Sequence, residues 1–445
     1  MSEPKKRMHV GWFSGHGLGP GPTSWADDRY PPSLHYDRPD QFIEMARVME
    51  RAGVDFLLFA DTLGIPDDYT GTIAPYVEHA VAMPKMDPAV IAPLLAAATS
   101  SIGIVATLTT LYYPPHLLAR LTASLDHATG GRIGWNVVTA FSDRAAQNFG
   151  KDSIPPHDTR YDIGDDYLGA VSALWESWGA GSVIEDVDAG IFGDPAKVRA
   201  AGYRGEHYAV SGPLNVVPSP QGRPFLTQAG SSPRGIRFAG MHADACIANC
   251  RTIEEMKEFR SEIRASAVQA GRDPDSVKVF FIIAPRVGET RESADIDHFP
   301  HDEARLQQGL AQLSVGLTDL SSYPLDEPLV IREEDIRPGV SRERIRKLAE
   351  GGVTLREYAM RMGNWETSMP FRGSPVEIAD QMEEVFDEVG GDGFMIRGHW
   401  IPEYVDDVCL QVLGVLGRRG RVAPPTAGTT LRQRLGVTDP ISQTA

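Results

Sequence analysis

Short apolar runs alternate along this chain with longer stretches in which apolar residues return at helical spacing. Residues 9–13, 54–60, 102–109, the run carrying Trp135 and Asn136, 225–228, 243–248, 277–284 and 393–397 read as buried strands. Between them, residues 39–53 place Phe42, Met45, Ala46 and Met49 on one face, and Gly53 stops the helix. Residues 115 onward place Leu117, Leu118, Leu121 and Leu125 on another stripe. Further helices are expected at 88–100, from 156 to about 178, from 233, and over 252–270, 376–389 and 403–416.

Eight nearly continuous apolar strands separated by helices predict a (β/α)₈ barrel, an α/β fold with a parallel sheet buried on both faces. Residues 1–445 read as one such domain. Two insertions break the rhythm at the strand C-terminal ends. Residues 180–223 are rich in Gly and Pro with a hairpin at 203–210, and 285–371 carry only charged helical patches. Residues 418–445 are polar and rich in Pro and Thr, and read as an arm or a partly disordered tail.

Composition narrows the class. A net charge of −17 with no basic run argues against nucleic acid. Three cysteines, Cys246, Cys250 and Cys409, argue against a disulfide scaffold and for a reducing, cytoplasmic setting. No charge occurs from Pro88 to Ala119, but Pro93, Gly103 and Pro114-Pro115 break that run, so it reads as barrel interior and not as a membrane helix. The N-terminus lacks a signal-peptide core.

The chemistry of a barrel of this kind lies at the strand C-terminal ends. In the fourth strand Asn136 shares a face with Gly134 and Val138, and an amide in apolar surroundings needs a partner or a purpose. Gln228-Ala-Gly-Ser-Ser-Pro233 ends a strand and opens a helix, so Ser231 and Ser232 sit where free N–H groups favour an anion. His157 and Tyr161 stand one helical turn apart after Pro155-Pro156 and can face one group. Asp61 and Thr107 end the second and third strands. Structural alternatives stand beside these readings. Ser232 can be a helix cap before proline, His157 a surface histidine, Asp61 a loop cap and Thr107 an ordinary strand residue. Residues 17–22, Gly-Leu-Gly-Pro-Gly-Pro, lack the helix that a dinucleotide loop requires and read as a lid.

Gly131-Arg-Ile-Gly-Trp-Asn-Val-Val-Thr139, Asn148-Phe-Gly150, Arg160-Tyr161, Leu174-Trp-Glu-Ser-Trp178, Gly212-Pro-Leu-Asn215, Ser219-Pro-Gln-Gly-Arg-Pro224 and Gln228-Ala-Gly-Ser-Ser-Pro233 occur in this order. Together they resemble the nitrilotriacetate monooxygenase, pristinamycin synthase and dibenzothiophene-sulfone monooxygenase group of bacterial-luciferase-like flavin proteins. The resemblance spans essentially the whole chain. It implies a TIM barrel that uses reduced FMN, delivered by a separate NAD(P)H:flavin reductase, and O2 to oxygenate a small sulfur-, nitrogen- or halogen-containing or aromatic molecule through a flavin peroxide. It further implies that Asp61, Thr107, Asn136, His157, Tyr161, Ser231 and Ser232 contact FMN, the last four at its phosphate, with Thr107 and Asn136 near the oxygen site. A homodimer or homotetramer is implied as well. His16, His79 and Ser142 are candidates for proton handling or substrate contact. The chain departs from the family at Ala140-Phe-Ser-Asp143, at the first-strand loop and at Met369-Pro-Phe-Arg372, so no relative's substrate carries over. Two readings remain beside this one: a deazaflavin (F420)-dependent dehydrogenase on the same barrel, and a non-catalytic flavin-binding protein. A metal-dependent hydrolase finds no ligand set on consecutive strand ends.

Overall fold

The computed structural model describes residues 6–15, 38–294, 302–315, 317–335, 352–363, 368–398 and 400–437. Eight parallel strands close into a barrel in sequence order: β1 His9–Ser14, β2 Phe56–Phe59, β3 Gly103–Thr109, β4 Ile133–Val138, β5 Phe225–Gln228, β6 Ala245–Ala248, β7 Lys278–Ile283 and β8 Gly393–Arg397. All eight are the strands that the apolar runs predict, and the seven with stated bounds agree within two residues. β1 pairs with both β2 and β8, which closes the ring.

The helices follow their stop and start signals. The helix Pro39–Ala52 buries Phe42, Met45, Ala46 and Met49, and ends at Gly53 with φ 100°. The helix Pro375–Val389 opens on a capping box, in which Ser374 and Glu377 satisfy each other's backbone N–H groups. Trp135 points outward from β4, where its Nε1 donates to the Leu108 carbonyl at 2.9 Å and its ring packs on Tyr167 and Trp175. That leaves Gly134, Asn136 and Val138 for the inner face, and a Cβ on Gly134 would lie 3.0 Å from the Phe225 carbonyl oxygen.

Residues 180–223 form two small antiparallel ladders, Val183–Asp186 with Ile191–Gly193 and Tyr203–Arg204 with Ala209–Val210. Beyond β7 the helices Asp302–Ser314 and Leu355–Gly363 pack on Tyr69 and Tyr76 of the β2 loop, around a core of their own. Arg286–Val287 pairs in parallel with Arg372–Gly373, a ladder too short to leave an alternation signal in the sequence. Among the described residues, no helix is long and apolar enough to cross a membrane.

Residues 431–437 lie against the floor of the barrel. Leu431 and Leu435 are buried among Phe56, Leu58, Val105, Phe225 and Phe280. Arg432 donates to Asp244 at 3.0 Å, and Arg223 grips the same carboxylate at 2.8 and 3.0 Å. Burial opposes ionisation of Asp244, but the two guanidiniums outweigh it and hold the carboxyl below its ordinary range.

Candidate active site at the strand C-terminal ends

The site is built from adjacent strands. The registers set Thr107 opposite Asn136 and Asn136 opposite Thr227, so three polar side chains line up across β3, β4 and β5. Asn136 Nδ2 donates to Thr107 Oγ1 at 2.9 Å, and Thr227 Oγ1 donates to Asn136 Oδ1 at 3.2 Å. All three are buried. The Asn136 amide is thereby fixed in orientation, and the Thr107 oxygen, already an acceptor, still has its own proton to give.

Thr107 faces a cleft of about 550 Å³ above β2, β3 and β4, shared with Asp61, Thr109, Tyr112, Val138, Ala140 and Ser142. Asn136 is not part of its wall and stands behind Thr107. Asp61 accepts from the Thr62 backbone N–H at 2.8 Å. Burial raises its pKa, an effect that Lys85 opposes. Burial pushes the Lys85 amine down to about 8, offset in part by Asp61. After β4 the chain turns at Ala140, whose φ of 56° is a left-handed conformation that a β-carbon makes costly.

The next strand supplies a polar clamp. Ser232 caps the helix Pro233–His242 by accepting from the Gly235 N–H at 3.0 Å, and the same hydroxyl lies 3.3 Å from His157 Nε2. The capping role and the clamp role therefore coexist in one side chain. His157 opens the helix His157–Trp175, and its Nδ1 meets Asp158 at 2.7 Å. One turn on, Tyr161 stands edge-on to it with ring centroids 5.2 Å apart, and its hydroxyl accepts from Gln228 Nε2 at 3.3 Å. A Cβ on Gly230 would lie 2.4 Å from the Tyr161 hydroxyl, so a side chain here would displace the Tyr161–Gln228 pair. Ser231 is exposed beside it.

The predicted residues thus gather in two neighbouring groups, Asp61, Thr107 and Ser142 at the cleft and His157, Tyr161, Ser231 and Ser232 at the clamp. His79 caps a short helix, and its carbonyl accepts from Gln308 at 2.9 Å, away from the cleft wall. His16 and residues 17–22 lie outside the described residues. Sequence reasoning missed Thr227, Tyr112, Lys85 and the role of Arg160. Arg160 is 5% exposed, its Nε has no hydrogen-bond partner among the described residues, and burial lowers its pKa against the influence of Tyr161 and Tyr112. Its adjacency to Tyr161 was the available signal.

A family model described as luciferase-like monooxygenase matches residues 8–393. The chain belongs to the luciferase-like monooxygenase family. Within that family it is 35% identical over 460 residues to dibenzothiophene-sulfone monooxygenase of Rhodococcus erythropolis (strain XP), covering 98% of each chain. Nitrilotriacetate monooxygenase component A of Aminobacter aminovorans is 33% identical over 99% of this chain and 98% of its own. A crystal structure of riboflavin lyase with modified FMN and substrate riboflavin superposes with a TM-score of 0.85 at 32% identity, covering 98% of this chain and 96% of that one. Among the described residues, no group of three His, Cys, Asp or Glu side chains is placed to hold a metal.

Proposed function

We propose that this luciferase-like protein is the oxygenase half of a two-component system. It takes reduced FMN from a separate NAD(P)H:flavin reductase, and with O2 it places one oxygen atom on a small organic molecule and releases the other as water. The observation that carries the reading is the His157–Ser232 contact, which joins two helix N-termini into an anion clamp one strand away from the Thr107 cleft.

The residues present fit a flavin mononucleotide. The absence of a side chain at Gly230 lets Gln228 Nε2 and the Tyr161 hydroxyl close up against the backbone beside Ser231 and Ser232. Tyr112 Oη, at the cleft wall, is buried without a hydrogen-bond partner among the described residues, and a ring edged with carbonyl and N–H groups would satisfy it. His157, Tyr161, Ser231 and Ser232 would hold the phosphate, Arg160 would supply the nearby positive charge, and Asp61 would meet the polar edge of the ring. Bound reduced flavin supplies the two electrons that activate dioxygen. Asn136 holds the Thr107 oxygen so that the Thr107 proton can be given to negative charge developing in the cleft. Leu63, Pro66, Val138 and Phe141 keep water away from that charge, where one hydrogen bond acts more strongly than in solvent. Ser142, which lines the cleft, would relay a proton to the substrate.

The test supplies the purified protein with FMN, NADH, a generic flavin reductase and ¹⁸O2, and screens sulfur heterocycles, aminopolycarboxylates and chlorinated aromatics. The expected result is one ¹⁸O atom in the product. Reduced FMN that fails to bind, or oxygen released only as hydrogen peroxide across the screen, overturns the reading. Retention of a deazaflavin in place of FMN would favour the dehydrogenase.

A further inference from the structure

On the same face of the barrel, beyond β6 and β7, lies a second cleft of about 520 Å³ walled by Arg251, Arg286, Arg361, Arg372 and Ser368. No acidic residue is among its described lining residues. We infer that it is an oxoanion subsite that receives a carboxylate, sulfonate or phosphate group of a small molecule.

Three observations carry this. Four guanidiniums converge here in a chain of net charge −17, so the cleft opposes the general charge of the molecule. Arg251 and Arg361 form no ion pair with any described residue, and leaving these two like charges side by side without a counter-charge is costly. Second, the cleft is rigidly framed. Arg286 and Arg372 sit directly opposite in a parallel ladder, where neighbouring strands run about 4.8 Å apart. The Arg286 N–H donates to the Phe371 carbonyl at 2.9 Å, Gln381 bonds both the N–H and the carbonyl of Arg372, and the Met369 N–H donates to the Cys250 carbonyl at 3.2 Å. Planar donors on a fixed frame match the paired oxygens of an oxoanion. Third, Ser368 is 7% exposed and its hydroxyl has no hydrogen-bond partner among the described residues. A buried hydroxyl left unmatched is destabilising until something accepts from it.

The ligand is the acidic group of the substrate, an assignment that rests on the monooxygenase reading. The anion site itself does not rest on it. This separates the cleft from the clamp at Ser231 and Ser232, which the flavin phosphate would fill.

The experiment titrates inorganic phosphate against chloride at constant ionic strength and follows the thermal midpoint of the full-length protein saturated with FMN, so that the clamp is already filled. A saturable rise is expected, because a ligand that binds only the folded state stabilises it. In Arg251→Met/Arg361→Met the apparent phosphate affinity should fall by about 10-fold or more, and in Ser368→Ala by less. Benzoate should compete with phosphate and methyl benzoate should not. No saturable rise, an undiminished rise in the double variant, or equal competition by the ester each overturns the proposal. Separately, the double variant should keep the wild-type preference for FMN over riboflavin. Loss of that preference would mean that these arginines hold the flavin phosphate, and would overturn a distinct site. Failure of FMN to bind at all strikes the flavin reading alone, since the variant difference in phosphate response is still measurable.

Discussion

His157 Nε2 meets Ser232 Oγ at 3.3 Å, a contact between the opening turns of two helices that follow different barrel strands. Each group can be removed separately. Ser232→Ala deletes a helix cap and should lower stability by about 1 kcal/mol, while also reducing the preference for FMN over riboflavin. His157→Ala should reduce that preference by about 10-fold with little loss of stability, because His157 makes no cap. Flavin fluorescence titration with both ligands, paired with urea unfolding, separates the two effects.

Thr107→Val keeps the volume and removes the hydroxyl. Turnover should fall on the order of 10²-fold, with FMN affinity nearly unchanged. Asn136→Ala takes away the donor that orients Thr107 and the acceptor that satisfies Thr227. It should therefore lower the fraction of oxygen that reaches product and raise peroxide release. Full coupling in Asn136→Ala would sink the proposed role of this pair.

Lys85 gives a stability test with a definite sign. Its folded pKa of about 8 lies below the ordinary 10.5, so the cost of burying the charged amine is full below about pH 8. That cost is relieved as the pH climbs from about 8 to 10.5, because the unfolded chain then holds more protons than the folded one. Lys85→Met should stabilise the protein at neutral pH and flatten the alkaline rise in denaturant midpoint. It should also let the Asp61 carboxyl move further upward, and so shift the acid limb of FMN binding to higher pH.

The floor segment offers a test far from the chemistry. Leu431→Ala should cost about 2–5 kcal/mol, since Leu431 is fully buried beneath the lumen. Acid should loosen the same segment. The Asp244 carboxyl is held below its ordinary range, so its contribution is present above the unfolded pKa of about 4 and is lost as the pH falls through the folded value. Limited proteolysis between residues 418 and 431 as a function of pH reads this directly.

The barrel was legible because its strands are buried on both faces and so read as unbroken apolar runs. The inward face of Asn136 followed from strict alternation, and the nearness of His157 to Tyr161 from helical spacing. What could not be read depends on register between distant segments. Thr227 matters only because β5 sits where it does against β4. Nothing in its neighbourhood in the sequence marks it. Arg251, Arg286, Arg361 and Arg372 are scattered singly over the chain and meet only through a two-residue ladder and a helix. The segment from 431 to 437 looks polar on average, yet two leucines four residues apart bury themselves while its arginines reach Asp244 and the Asp55 carbonyl.

That floor has a bearing on how the protein is made. Every barrel strand precedes Leu431 in the chain, so a ribosome can deliver the entire sheet while Phe56, Phe225 and Phe280 still lack their cover from below. At about 5–20 residues per second, the interval between the last strand and the segment that covers them is a few seconds. During it the apolar floor of the nascent barrel stands uncovered, at the end opposite the Thr107 cleft.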